Sequence, residues 1–142
     1  MIMMRDDTEV LIAIGSNFNQ RFSMAFAKKQ LHGIFYGSIK FSDEVWTEPV
    51  GMKSDMFLNC LCAGRTIHKK GQLEKALKRV ERQCLRCKKY DQLNRITLDI
   101  DILQYGELRF HEQDWQREYI HDLLRKKDEW KYLHDIKGFD KL

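Results

Sequence analysis

The sequence predicts an α+β sandwich in which one antiparallel sheet carries both main helices on a single face, followed by a helical C-terminal tail. Three observations predict it. Apolar, β-branched runs suited to strands recur at residues 10–14, 34–36 continued by 41–46, 56–67 and 97–103. Two intervening stretches, 19–31 and 70–89, repeat apolar residues at helical spacing. Their order is β-α-β-β-α-β, the ferredoxin-like plan of two split units on one sheet.

Each element has its own local signal. Val10-Leu11-Ile12-Ala13-Ile14 is an unbroken apolar strand, and Gly15-Ser16-Asn17 turns out of it, with Ser16 or Asn17 suited to cap the next helix. That helix places Phe22, Ala25 and Phe26 on one stripe and ends near His32-Gly33. The second strand region follows, with a bend at Gly37-Ser38, and then a loop over 47–55 that holds the chain's only proline, Pro49. The long strand 56–67 leads into helix 70–89, whose stripe is Leu73, Ala76, Leu77, Val80 and Cys84. Residues 107–142 change character: they are charge-rich, with Trp115, Tyr119, Trp130 and Tyr132 interspersed, and predict a helix over 114–133. The whole, 1–142, reads as one domain with a core at 10–106.

Composition narrows the class. With 142 residues, of which 43% are apolar, the chain can bury an ordinary single core. No apolar run is long enough to span a bilayer and the first seven residues lack a secretion signal, so a cytoplasmic protein with reduced thiols and no membrane partner is expected; the oligomeric state is left open by the sequence, a monomer being favoured. The four cysteines, Cys60-x-Cys62 and Cys84-x-x-Cys87, have zinc-like spacing. They fall on a strand and a basic helix without tight turns, and read better as small buried apolar side chains.

The chemistry concentrates at Asp99-Ile100-Asp101. Residues two apart on a strand share a face, so both carboxylates project together while Leu98, Ile100 and Ile102 cover the other side. Carboxylates about 6–7 Å apart along a strand repel one another, a cost that a hard cation such as Mg²⁺ relieves. An isolated D-x-D can equally face water on a half-exposed strand. The 25 Lys and Arg against 21 Asp and Glu are a small excess. It gathers just ahead of the pair, at Lys78, Arg79, Arg82, Arg86, Lys88, Lys89 and Arg95, as phosphoryl-group transfer requires.

Four motifs in order carry a family resemblance: Ile12-Ala13-Ile14-Gly15-Ser16-Asn17, Thr47-Glu48-Pro49-Val50-Gly51, Phe57-Leu58-Asn59, and Arg95 to Leu103 with Tyr105-Gly106. The chain resembles the 6-hydroxymethyl-7,8-dihydropterin pyrophosphokinases of folate biosynthesis. The resemblance implies transfer of pyrophosphate from ATP to the hydroxymethyl group of a reduced pterin, releasing AMP, with two Mg²⁺ ions held by Asp99 and Asp101. It further implies that Asn59, Thr47, Val50 and Phe57 bind the pterin, Phe57 standing where a tyrosine is usual. Glu81, Arg86, Lys88 and Ile102 would bind the nucleotide, and Arg86 and Arg95 would assist transfer. The family arginine three residues before the first aspartate is displaced, since Ile96 stands there and Arg95 one place earlier; Leu93 replaces a tryptophan. The family's C-terminal segment, beginning with a proline-histidine pair, is not recognisable after Gly106. Arg125 is placed to replace its arginine, and Trp115 or Tyr119 to supply an aromatic wall.

Two other readings fit the same residues. One is a relative that binds pterin or nucleotide without turnover. The other is an RNA-binding module of the same fold, against which the paired carboxylates on the sheet argue.

Overall fold

The computed structural model describes residues 7–138. Its main elements are β1 Thr8–Ser16, α1 Gln20–Ile34, β2 Ile39–Phe41, β3 Val45–Thr47, β4 Phe57–Thr66, α2 Lys70–Gln83, α3 Lys88–Gln92, β5 Asp99–Tyr105, β6 Leu108–Arg109, α4 Glu118–Arg125 and β7 Lys131–Tyr132. All pairings are antiparallel, in the order β6-β5-β1-β4-β2-β7, with β3 also on β4. This is the ferredoxin-like sandwich. Of the seven residues read for a secretion signal, the first six lie outside the described ones. No helix among the described residues is long and apolar enough to cross a membrane.

Strand β1 sits at the centre and is apolar from Val10 to Ile14, where both its faces are covered. Val10, Ile12 and Ile14 meet α1 and α2 through Met24, Ala27, Leu31, Leu73, Leu77 and Val80. On the other face, Leu11 joins Leu61 and Leu103 beneath Trp115, Ile120, Leu123 and Trp130 of the tail. The tail therefore covers that half of the second face.

Several elements differ from the sequence reading. Helix α1 buries Ser23, Met24, Ala27, Lys28 and Leu31, while Phe22 is 69% exposed. Two polar residues disguise this stripe: Ser23 Oγ bonds Phe18 O, and Lys28 Nζ reaches Glu44 at 2.6 Å. Neither Ser16 nor Asn17 caps α1, whose N-cap is Asn19 in left-handed backbone. Residues 34–36 are not a strand; they end α1, with Tyr36 and Gly37 at positive φ and Phe35 plugged into the core. The strand expected over 41–46 breaks into β2 and β3, because the register against β4 slips by one between Phe41↔Cys62 and Val45↔Asn59. The intervening turn delivers Glu44 to Lys28.

Helix α2 stops at Gln83, and Leu85 takes a positive φ before the short α3. The tail is a broken chain of short turns around α4, not a continuous helix over 114–133. Cys60, Cys62 and Cys84 are buried as expected; Cys87 is exposed.

The Lys28–Glu44 pair yields a first prediction. Glu44→Ala leaves the ammonium group of a lysine whose side chain is 5% exposed without its counter-ion. Because Glu44 itself is partly exposed, the cost is set below that of a fully buried pair, at about 2–3 kcal/mol in denaturant unfolding. Adding Lys28→Met should recover most of it.

Candidate functional site

The register lines up one row of residues across the sheet: Asp99 on β5, Gly15 on β1, Asn59 on β4 and Val45 on β3. Adjacent strands lie about 4.8 Å apart, so Asp99 and Asn59 stand about 10 Å apart. Gly15 leaves the space between them open. A methyl group there would come to 3.3 Å from Asn59 Oδ1 and 3.8 Å from Phe57 Cδ2. In the next row Ala13 lies between Asp101 and Leu61, again a small side chain. The floor of a groove is thus written into β1.

At the β4 end, Asn59 Nδ2 donates to Thr47 Oγ1 at 2.7 Å, with Val45 O and Phe57 O at longer range. Asn59 is 4% exposed and held in one orientation, with Oδ1 turned towards Gly15. Val50 lies in the adjoining loop and is 72% exposed.

The end of β1 also closes the site structurally. Asn17 accepts the Ile96 N–H at 2.6 Å through Oδ1 and donates to Asn94 O at 2.8 Å, clamping the chain that enters β5. The same residue pairs through its backbone with Ile96 O.

At the β5 end the carboxylates crowd. Asp101 is largely buried, and burial first, then the charge and hydrogen bond of Asp99, then Glu81 and Asp114, push its carboxyl up to about 8. Arg86 holds Asp99 on one side at 3.4 Å and is itself fixed by Asp91 at 2.7 Å and Leu98 O at 3.0 Å. On the other side His111 Nε2 lies 3.8 Å from Asp101. The free edge of β5 is met by Glu81, which accepts the Ile100 N–H at 2.7 Å; burial raises its own carboxyl, partly offset by that bond. Alternation along the antiparallel strand turns the Ile102 backbone to the same edge. Ile102's side chain is in the core beneath the helices. The edge opens into a cavity of about 240 Å³ lined by Lys70, Lys78, Asp101, Ile102, Phe110 and His111 among others.

The structure therefore brings together Asp99, Asp101, Arg86 and Glu81, and, across the groove, Thr47, Phe57 and Asn59. It separates others. Arg95 is exposed in the turn after α3, with its guanidinium 5.2 Å over the Phe18 ring and no ion pair to either aspartate. Lys88 is exposed on α3. Arg125 is paired with Asp122 on the exposed side of α4.

A model of the 7,8-dihydro-6-hydroxymethylpterin-pyrophosphokinase family matches residues 11–127, which include the whole groove and run past Gly106 into the tail. The chain belongs to this family. No curated protein matches it significantly. Family membership makes it an ATP:pterin diphosphokinase, a transferase of folate synthesis. In this setting the tail residues gain meaning. Tyr119 is half-buried against the tail core under the Arg117 guanidinium. Burial, opposed by Arg117 and reinforced by the charges of Asp114, Asp101 and Asp99, pushes its hydroxyl up to about 12.

Sequence reasoning missed His111, Asp114 and Arg117. The available signal was His111 and Asp114, an imidazole and a carboxylate a few residues beyond Tyr105-Gly106.

Proposed function

We propose that the groove binds a reduced pterin at its β4 end and ATP at its β5 end, and transfers the β,γ-pyrophosphoryl group to the pterin hydroxymethyl. The pterin oxygen bonds to the β-phosphorus, the bond from that phosphorus to the oxygen bridging it to the α-phosphate breaks, AMP leaves, and the hydroxyl proton passes to water. The observation that carries this reading is the Asp99–Gly15–Asn59 row, which sets an amide and a carboxylate pair on opposite banks of one unobstructed groove.

Asn59, held by Thr47, offers an amide edge to a heterocycle, and Phe57 offers a ring face. Val50 and its loop border the same end. Asp99 and Asp101 are an all-oxygen, crowded donor set that fits Mg²⁺, and we assign two ions to them. Bound there, Mg²⁺ neutralises charge on the triphosphate. Arg86 orients Asp99 and stands within reach of a phosphate. Arg95 and Lys88 lie outside it on the solvent side, placed to steer the incoming polyphosphate. The Ile102 backbone and the β5-edge cavity suit the nucleotide base, with Glu81 keeping that edge in place. Arg125, engaged by Asp122, is the weakest of the nucleotide contacts.

Asn59→Ala should raise the pterin KM roughly tenfold, the cost of one lost charge-free hydrogen bond at a buried edge, and leave the ATP KM near its original value. EDTA should abolish AMP formation. An unchanged pterin KM in a folded variant, or AMP production that survives EDTA, would contradict the assignment.

A further inference from the structure

The two aspartates of the groove are engaged differently. Asp99 faces Arg86, whereas Asp101 faces the tail, where one ligand atom each of Asp101, His111 and Asp114 lie within 4.8 Å of one another. His111 is exposed at 46% of its side chain, so an ion from solvent can reach the imidazole.

The backbone that presents these groups is fastened at both ends. Phe110 donates its N–H to Leu103 O on β5 at 2.9 Å, and its own carbonyl accepts the Trp115 indole N–H at 3.0 Å. Between them His111 adopts φ +57°, uncommon for a residue with a side chain, and the Asp114 N–H closes the turn on His111 O at 2.8 Å. The turn thus holds an imidazole and a carboxylate against the inner aspartate of β5.

We propose that Asp101, His111 and Asp114 form a site for a first-row transition dication that binds without nucleotide. The donor set is one imidazole nitrogen and two carboxylate oxygens. Nitrogen ligation favours ions from Mn²⁺ through Zn²⁺ over Mg²⁺, which demands oxygen. An ion about 2.1 Å from each of three ligands holds them about 3.0–3.6 Å apart, so groups within 4.8 Å of one another close on it by up to about 1–2 Å, a rotamer adjustment of the exposed imidazole and the Asp114 carboxylate. The site shares Asp101 with the proposed Mg²⁺ pair but needs neither ATP nor pterin, so its failure leaves the transferase reading standing.

Co²⁺ alone is the probe, added to the full chain. The expected result is one bound equivalent that a tenfold excess of Mg²⁺ does not displace, with a paramagnetically shifted imidazole N–H in the proton NMR spectrum. His111→Gln should abolish that signal and weaken Co²⁺ binding by about tenfold or more, while Asp99→Asn changes the affinity by no more than about twofold. Asp114→Asn should weaken binding without removing the imidazole signal, which guards against a single misfolded variant. Undiminished Co²⁺ affinity in folded His111→Gln would overturn the proposal. So would loss of binding in Asp99→Asn with none in His111→Gln, which would assign the ion to the aspartate pair.

Discussion

Asp101→Asn is expected to lower AMP formation on the order of a thousandfold or more while leaving the fold intact. The loss follows from position. Asp101 is the inner carboxylate of the crowded set, faced by Asp99 on its own strand, Glu81 from α2, and Asp114 and His111 from the tail. An amide there cannot supply the charge that recruits a cation.

The fold survives because Asp101 is strained electrostatically before any cation arrives. Its folded-state carboxyl titrates at about 8, against about 3.9 for an unperturbed aspartate. Between those values the folded chain holds a proton that the unfolded chain has released. The stability it contributes is therefore fully present below about pH 4 and is lost as pH rises through about 8. Wild type should accordingly melt at a lower temperature at pH 8 than at pH 5, and Asp101→Asn should remove that part of the slope. A variant that melts far below wild type at pH 5 would mean that Asp101 is structural.

The second large effect is on stability. Gly64→Ala is expected to cost about 3 kcal/mol or more, at the upper end for an overpacked core, read as a shifted denaturant midpoint. A Cβ on Gly64 would stand 2.7 Å from Phe35 Cδ1 and 2.9 Å from Ser38 O. Neither can retreat: Phe35 is wedged in the core at the end of α1, and Ser38 O accepts the Arg65 N–H at 3.0 Å. Gly33→Ala is the control. Its Cβ would meet nothing within 4 Å, and near the end of α1 it should be neutral or stabilising by up to about 1 kcal/mol. Equal losses at both positions would show that close approach is not the reason for Gly64.

Element order was legible because the sheet core is built from apolar runs with clear breaks, and the β5 aspartates were legible because carboxylates interrupt such a run. The misread segments are those in which tertiary contacts overrule local pattern. Lys28 and Ser23 hide the buried stripe of α1, since their polar ends find partners that spacing alone does not reveal. Ile34-Phe35-Tyr36 looks like a strand because a helix end that plugs a core needs the same residues. Helix α2 stops early because Leu85 turns Arg86 back to Asp91, Leu98 O and Asp99. In the tail, His111 and Asp114 reach Asp101 through a left-handed turn that no periodicity announces. The site row itself rests on register, which depends on how β1, β4 and β5 slide against each other.

The most direct test of the central claim is the mass of the pterin recovered after incubation with the purified protein, ATP and Mg²⁺. The account predicts a product carrying two phosphoryl groups, formed in step with AMP. Unaltered pterin, or a product carrying one phosphoryl group together with ADP, would contradict it.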